Sequence, residues 1–385
     1  MGYYLKLYDQ TLAEIRIECL PDDKVAARFS SAQSELPHLL PLEVSMGDDS
    51  SLTNWLKGRV VPKNRAFVRE LLRSLGLNYY DIKGMIDIGL GLSLNDSYWV
   101  VPTDFEGTFG QYNLYENDFA KALSLVAFTG YESSSTWHRK KGIYTSPELT
   151  LDGALPKAWR LLKGELYLYK GGTDKKLAYN AGKEPFSEFY ASQIAERMGL
   201  DHVHYNLAMW KRELASTCKI FTCIDTAFVA VHRIPEVDGW DTAGKYFRSL
   251  DEKSWNDFAS MVVFDALIYN EDRHLGNYGV LRDNHTGAVT GMAPLFDHGV
   301  SLFNFANDAD MENLDAYAES RAHSSGSSFE HSIQRVEALG ELQRQQLGKM
   351  INFQFLRHSS YNLPTKRLRQ IERFLQKRVR HLLSL

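Results

Sequence analysis

Residues 270–280, NEDRHLGNYGV, concentrate an Asp, an Arg, a His and an Asn within Asp272–Asn277, directly after an apolar run. That run, SWNDFASMVVFDALIYN, opens on a Ser-x-x-Asp capping pattern and carries Phe258, Met261, Val262 and Ile268 at helical spacing. It predicts a buried helix ending near Asn270. YGVL (278–281), RDNHTG and AVTGMAPLFD then read as a strand, a turn and a returning strand that closes on FDHG (296–299). An antiparallel hairpin brings its open ends together, so Asn277 and Asp297 are expected to converge beside Asp272. One amide oxygen and two carboxylates suit Mg²⁺, which takes oxygen ligands and is commonly shared with nucleotide phosphates. Phosphoryl transfer asks for metal on the phosphates, a lysine to neutralise charge and a carboxylate to orient the attacking hydroxyl. Lys170 is the candidate cation and Asp272 the candidate carboxylate.

Upstream, YLYKGG ends a strand-like run in which Leu166, Leu168 and Lys170 share a face by the period of two. A lysine on an apolar face either snorkels or meets an anion. From 146, SPELTLDGALPKAWRLLKGELYLYKGG reads as three short strands separated by Asp152–Pro156 and by Lys163-Gly164, a β-meander. PFSEFYASQIAERMGL (185–200) reads as a helix with Ser187 near its start and Gly199 near its end, and FVAVHRI (228–234) as a further strand. Together these make a small α+β lobe over 146–240, followed by a mostly helical lobe over 241–385. Residues 1–145 read as a separate α/β module. There PKNRAFVRELLRSLGL (62–77) predicts a helix with Phe67, Leu71, Leu72 and Leu75 on one side and Gly76 as its stop. ENDFAKALSLVAFTGY predicts another, and the polar ESSSTWHRKKG (132–142) a surface boundary.

At 385 residues the chain is too long for one small core. A net charge of -4 gives no global attraction to nucleic acid, so direct nucleic-acid binding is not expected. Cys19, Cys218 and Cys223 build no disulfide framework and lack the spacing of a zinc site. MGYYLKLYDQ has no apolar signal core, and no apolar stretch approaches the ~20 residues of a membrane span. A reducing cytoplasm is the expected location.

The run Asp272-Arg273-His274-x-x-Asn277, followed by Asp297-His298-Gly299, resembles the catalytic and metal-binding loops of phosphatidylinositol-kinase-like enzymes. It resembles still more those of the bacterial HipA-like serine/threonine kinases, which share an Asp-x-His-x-x-Asn loop. LTLDGALPKAWRLL is similar to the HipA-type Gly-Ala-x-x-Lys loop, YLYKGG to its lysine strand, and EPFSEFYASQIAERMGL to its Glu-bearing helix. The resemblance covers roughly 146–385 and implies a bilobed kinase-like fold with ATP and Mg²⁺ as cofactors. It implies that Lys170 contacts the phosphates and Glu188 orients Lys170. Asp272 is then the catalytic base, and Asn277 and Asp297 hold Mg²⁺. Gly153, Ala154 and Lys157 belong to the phosphate-covering loop, adenine lies by Val231, His232 and Arg233, and His274 either stabilises the transferred group or braces its loop. Thr150, with Ser146 nearby, occupies the place of a self-phosphorylated serine. Two departures stand out: Gly153 is the one glycine of its loop, and the lysine strand ends in Gly171-Gly172 where many such kinases have Lys-x-Pro.

Other uses of these residues stay open. Asp272 and Asn277 also suit a helix end and a turn, Lys170 a snorkelling surface position and Glu188 a first helical turn. The polar stretch 304–330, with SSGSS at 324–328, is either an activation or substrate loop or a plain surface loop. TKRLRQIERFLQKRVRHLLSL is a basic amphipathic helix, with Leu368, Ile371, Leu375, Val379 and Leu382 on one side. It either docks on the large lobe or touches anionic lipid or nucleic acid. Three functions follow: a protein serine/threonine kinase, a phosphatidylinositol or small-alcohol kinase, or a catalytically weak regulator that binds a small DNA-binding antitoxin.

Overall fold

The computed structural model describes residues 2–21, 24–31, 35–131, 142–174, 180–321 and 326–385. The chain divides into two compact units: Met1–Lys170 with Ile220–Val229 and Leu281–Thr290, and Gly171–Lys219 with Ala230–Val280 and Gly291–Leu385. The boundary expected at 132–142 falls, except for Gly142, outside the described residues.

In the first unit, β1 (Gly2–Leu7), β2 (Gln10–Leu20), β3 (Lys24–Phe29) and β4 (Tyr98–Pro102) form an antiparallel sheet in the order β3-β2-β1-β4. Alternation puts Tyr3, Leu5 and Leu7 of β1 into a core with Ile15, Ile17 and Leu52. Helix α1 (Asp49–Lys57) is capped by the Asp48 carboxylate, which accepts the Ser50 N–H. It seals the β3 edge: Thr53 exchanges hydrogen bonds with the Ala27 N–H and carbonyl, and Asp49 accepts the Phe29 N–H. Helix α2 (Val68–Ser74) begins one residue after Phe67, which sits in the left-handed region at φ 58 instead of joining the helix, and Gly76 (φ 73) ends it as expected. Helices α3 (Ile82–Gly89), α4 (Phe109–Tyr112) and α5 (Lys121–Thr129) follow, α5 stopping at Gly130 with φ 70.

The predicted meander is a two-stranded hairpin. Pro147–Leu149 is a 3₁₀ turn capped by Ser146, not a strand. The strands are β5 (Lys157–Leu162) and β6 (Glu165–Gly171), joined through Lys163 (φ 53) and Gly164 (φ 81), the two positive φ angles of a tight hairpin turn. The Glu148 carboxylate of the 3₁₀ turn meets Arg65 at 2.6 Å, with neither side chain exposed, and accepts the Trp159 N–H of β5 at 2.8 Å.

The second unit starts with α6 (Glu184–Met198), ended by Gly199 at φ 79. Gly172, where the family pattern has Lys-x-Pro, lies against the Gly182 backbone: a Cβ there would meet Gly182 Cα at 2.7 Å and Glu184 Oε2 at 2.8 Å. Strands β7 (Asn206–Trp210) and β8 (Glu213–Lys219) pair as a hairpin. The strand expected over 228–234 is shorter: β9 (Thr226–Ala230) gives way to a 3₁₀ turn at Val231–Arg233. After α7 (Trp240–Leu250), helix α8 (Glu252–Ile268) is capped by Asp251, whose carboxylate accepts the Ser254 N–H at 2.7 Å. The Ser-x-x-Asp pattern thus lies inside the helix. The predicted hairpin is present as β10 (Gly279–Asp283) and β11 (Val289–Met292), held at the turn by Asp283 N–H to Ala288 O and at the open end by Ala293 N–H to Gly279 O, both 2.9 Å.

The polar stretch 304–330 is not a plain loop, because Asn307 and Asn313 cap α9 (Asp308–Glu312) and α10 (Leu314–Glu319). Ser324 and Ser325 of SSGSS lie outside the described residues. Helices α11 (Phe329–Arg335), α12 (Glu341–Gly348) and α13 (Thr365–Ser384) complete the unit. The basic helix α13 is docked: Leu368, Ile371, Leu375, Val379 and Leu382 are buried. Arg367 donates to the Ala306 and Phe303 carbonyls and Arg378 to the Ala266 carbonyl.

Candidate functional site

The end of α8 builds the polar loop. Tyr269 turns left-handed (φ 52), and the amides of Tyr269 and Asn270 both return to the Asp265 carbonyl. Asp265, an acid in the middle of VVFDALI, is fully buried and accepts Asn270 Nδ2 at 2.9 Å. Its main partner is Arg273, also fully buried, whose Nε and Nη2 reach the two carboxylate oxygens at 2.9 and 3.0 Å. Burial works against the guanidinium charge, but Asp265 more than offsets it and holds the pKa above the ordinary arginine value. Arg273 Nη1 donates to the Asn277 carbonyl at 2.8 Å and to the Phe296 carbonyl at 2.6 Å. One nitrogen thereby ties the polar loop to the residue before Asp297. Arg273 Nη2 also lies 3.0 Å from His298 Nδ1. A guanidinium only donates, so Nδ1 accepts and the His298 proton sits on Nε2.

The loop orients its own side chains. The Asp272 carbonyl accepts Asn277 Nδ2 at 3.0 Å and the His274 N–H at 2.9 Å. With Nδ2 engaged, the opposite end of the buried Asn277 amide is its oxygen, the atom a hard cation takes. The Asp272 side chain is exposed. His274 is exposed as well, and its Nδ1 accepts the Gly276 N–H at 3.0 Å, so the ring braces the turn. A Cβ at Gly276 would come within 2.8 Å of the imidazole, which would have to shift.

Asp297 sits in the left-handed region (φ 57), which Asp tolerates better than most residues. Its N–H donates to the Tyr205 hydroxyl at 3.1 Å. Burial, then the charges of Glu188, Cys218 and Asp297, push the Tyr205 pKa well above its ordinary value, so this hydroxyl stays protonated. Glu188 on α6 is fully buried and accepts the Ser216 hydroxyl at 2.6 Å. Next to it, Ser187 donates to the Ser301 carbonyl at 2.9 Å, fastening α6 to the chain just beyond Asp297. The Val231 and His232 amides are already engaged by the Tyr278 and Leu275 carbonyls, both at 3.0 Å. A base lying by Val231, His232 and Arg233 therefore has other main-chain groups to use.

In the first unit, the β5–β6 register sets Lys157 directly opposite Lys170. Directly opposed residues share a face, and both lysines are buried. Gly153 (φ 90) lies against Lys157, since a Cβ there would lie 2.2 Å from its Nζ. The Ala154 carbonyl accepts the Ala66 N–H at 2.8 Å, and the Gly153 N–H turns back onto the Asp152 carboxylate at 2.6 Å. Thr150 and Ser146 are buried: the Thr150 hydroxyl donates to the Leu92 carbonyl at 3.0 Å, and Ser146 caps the 3₁₀ turn.

Arg273 thus ties the main chain of Asn277 to that of Phe296, next to Asp297, with Asp272 one residue before Arg273 in the chain. The Glu188 charge acts on Tyr205, and Gly153, Lys157 and Lys170 form a second group in the other unit. Asp265, Tyr205 and Ser216 were not singled out from the sequence. A lone acid inside an apolar helix is the signal that marks Asp265, whereas nothing local marks the other two.

No family model matches the chain. In sequence it is similar to the serine/threonine-protein kinase CtkA of Helicobacter pylori strain J99, 30% identical over 162 residues, 37% of this chain and 49% of CtkA. The chain thus spans about half the length of the curated relative it matches. The crystal structure of CtkA covers 59% of this chain and 93% of its own length at 19% identity, with a TM-score of 0.43. HipA of Shewanella oneidensis MR-1, solved in a toxin–antitoxin complex with HipB and operator DNA, covers 100% of this chain and 99% of its own, at 14% identity and a TM-score of 0.58. That superposition accounts for the α+β architecture from end to end, and the chain has the HipA-like kinase fold.

Proposed function

We propose that the chain is an ATP- and Mg²⁺-dependent phosphotransferase acting on a protein serine or threonine hydroxyl. The observation that supports this reading is the Arg273 clamp, which holds the Asn277 and Phe296 carbonyls on one nitrogen and so joins the main chain of Asn277 to that of the residue before Asp297. The donor set of an amide oxygen and a carboxylate fits Mg²⁺, with water filling the remaining positions. Asn277 and Asp297 would hold the ion, which when bound neutralises charge on the nucleotide phosphates. The exposed Asp272 carboxylate accepts the proton of the attacking hydroxyl. Lys170 and Lys157 neutralise the phosphates, the loop would cover them with backbone N–H groups other than that of Gly153, which Asp152 takes, and Glu188 orients Lys170. His274 braces the loop. Labelled ATP with a protein acceptor tests the reading, and transfer that survives Asp272→Ala would sink it.

The likeness in sequence to a serine/threonine-protein kinase supports a protein acceptor. The basic helix that favoured a lipid acceptor has its apolar side packed inward. Among the described residues no helix is long and apolar enough to cross a membrane. Thr150 is retained as a self-modification site. Because its hydroxyl is buried, transfer to it requires the 147–149 turn to open first.

A second reading rests on the full-length likeness to HipA, whose structure contains HipB and operator DNA. Here the chain would bind a small DNA-binding antitoxin. A stoichiometric partner in a pull-down, with the Asp272→Ala variant fully active in the cell, would favour binding over catalysis.

A further inference from the structure

Glu196, in the last turn of α6, and His202 and His204, just beyond it, place one ligand atom each within 4.8 Å of one another. Glu196 Oε2 lies 3.7 Å from His202 Nε2 and 3.4 Å from His204 Nδ1. Two donors about 2.0–2.1 Å from a tetrahedral zinc stand roughly 3.3 Å apart, so the three atoms need only small side-chain adjustments to share an ion.

The state of His202 points to a cation. Its Nδ1 lies 2.8 Å from the Leu200 carbonyl, which only accepts, so Nδ1 carries the proton and Nε2 carries a lone pair. His202 is 8% exposed, and Nε2 is buried without a hydrogen-bond partner. That lone pair faces the Glu196 carboxylate, an acceptor facing an acceptor, which is unfavourable unless a proton or a metal ion lies between them. Burial lowers the proton affinity of this ring. A backbone carbonyl on the far nitrogen is also the arrangement that fixes the tautomer of metal-bound histidines.

We propose that Glu196, His202 and His204 bind a divalent transition-metal ion, Zn²⁺ above all, with water completing the coordination. Two imidazoles and one carboxylate select Zn²⁺ over Mg²⁺, which prefers oxygen ligands. The exposed Glu196 and His204 leave the outer side open to water. The ion is structural, because it closes the α6 terminus onto the segment that carries Val203 and Tyr205. Val203 N–H donates to the Leu295 carbonyl at 2.8 Å, Leu295 N–H to the Asp201 carbonyl at 2.9 Å, and Asp297 N–H to Tyr205. Binding therefore stiffens the support beneath Asp297.

The full-length chain, stripped with a chelator and kept in excess Mg²⁺, is titrated with Zn²⁺ against a chromophoric competitor. A single Zn²⁺ is expected to bind and to raise the melting temperature. The exposed positions allow His204→Ala and Glu196→Gln without loss of the fold, and each should weaken binding by at least about 10- to 100-fold, the cost of losing even an outer partner of a metal site. Asp297→Ala should leave Zn²⁺ binding unchanged. Zn²⁺ affinity that is the same in wild type and both variants, or no binding by wild type, would overturn the proposal.

Discussion

Arg273 and Asp265 face each other at 2.9 Å with no exposure of either side chain. The pair is a lever more than a source of net stability, since burying two charges roughly cancels their attraction. Removing one partner is different. Asp265→Asn leaves a buried guanidinium uncompensated and should cost about 3–5 kcal/mol in denaturant unfolding. Arg273→Lys keeps the charge but not the planar fork that reaches Asp265, Asn277, Phe296 and His298. It should fold with reduced stability and bind Mg-nucleotide weakly in calorimetry.

Asp297 and Asp272 should separate binding from chemistry. Asp297→Ala removes a proposed ion ligand at a partly exposed position. Calorimetry should show Mg²⁺-dependent ATP affinity falling severely while the melting temperature drops only by the modest cost of placing alanine at a left-handed position. Asp272→Ala should retain nucleotide binding and lose about 10²–10⁴-fold in transfer rate, the usual range for a proton-accepting group.

Tyr205 sets a pH limit. Its folded pKa lies above the ordinary tyrosine value because of burial and the nearby Glu188 charge. The unfolded chain therefore releases this proton first as pH rises through about 10, and the fold loses stability there. Tyr205→Phe should flatten that part of the alkaline decline in denaturation profiles taken between about pH 9 and 11. It also removes the acceptor of the Asp297 N–H, so a weaker Mg-ATP affinity at neutral pH should accompany it.

Modification of Thr150 should be limited by opening of the 147–149 turn. Mass spectrometry after incubation with Mg-ATP should find phosphate within residues 145–157. Glu148→Gln, which weakens the hold of Arg65 on that turn, should speed its appearance. No phosphate in either protein would remove Thr150 from the scheme.

What could be read from the sequence was mainly periodic. The stripe Phe258–Ile268 gave α8, and the two-residue break at Lys163-Gly164 gave the β5–β6 hairpin. Capping was read three residues late, because Asp251 competes with Ser254 for the same helix end and takes it. LTL looked like a strand by composition, yet Pro147 and the Ser146 cap start a 3₁₀ turn. The period of two set the face of Lys170, but its opposition to Lys157 depends on register, which the turn fixes one step later. Arg65 with Glu148, 83 positions apart, belongs to tertiary packing that no local pattern announces.

Arg282, at the far end of the β10–β11 hairpin, is 4% exposed and donates to the His38, Leu40 and Gly287 carbonyls and the Tyr98 hydroxyl. Three of those four acceptors come from the first hundred residues of the chain. A shortened protein beginning at residue 146 would leave Arg282 without those three acceptors, and would also strip the Phe228 amide of its Asn95 acceptor. The amino-terminal region thus supplies the hydrogen-bonding partners of the 281–290 hairpin tip, and surgery that treats it as a detachable tag should yield insoluble material.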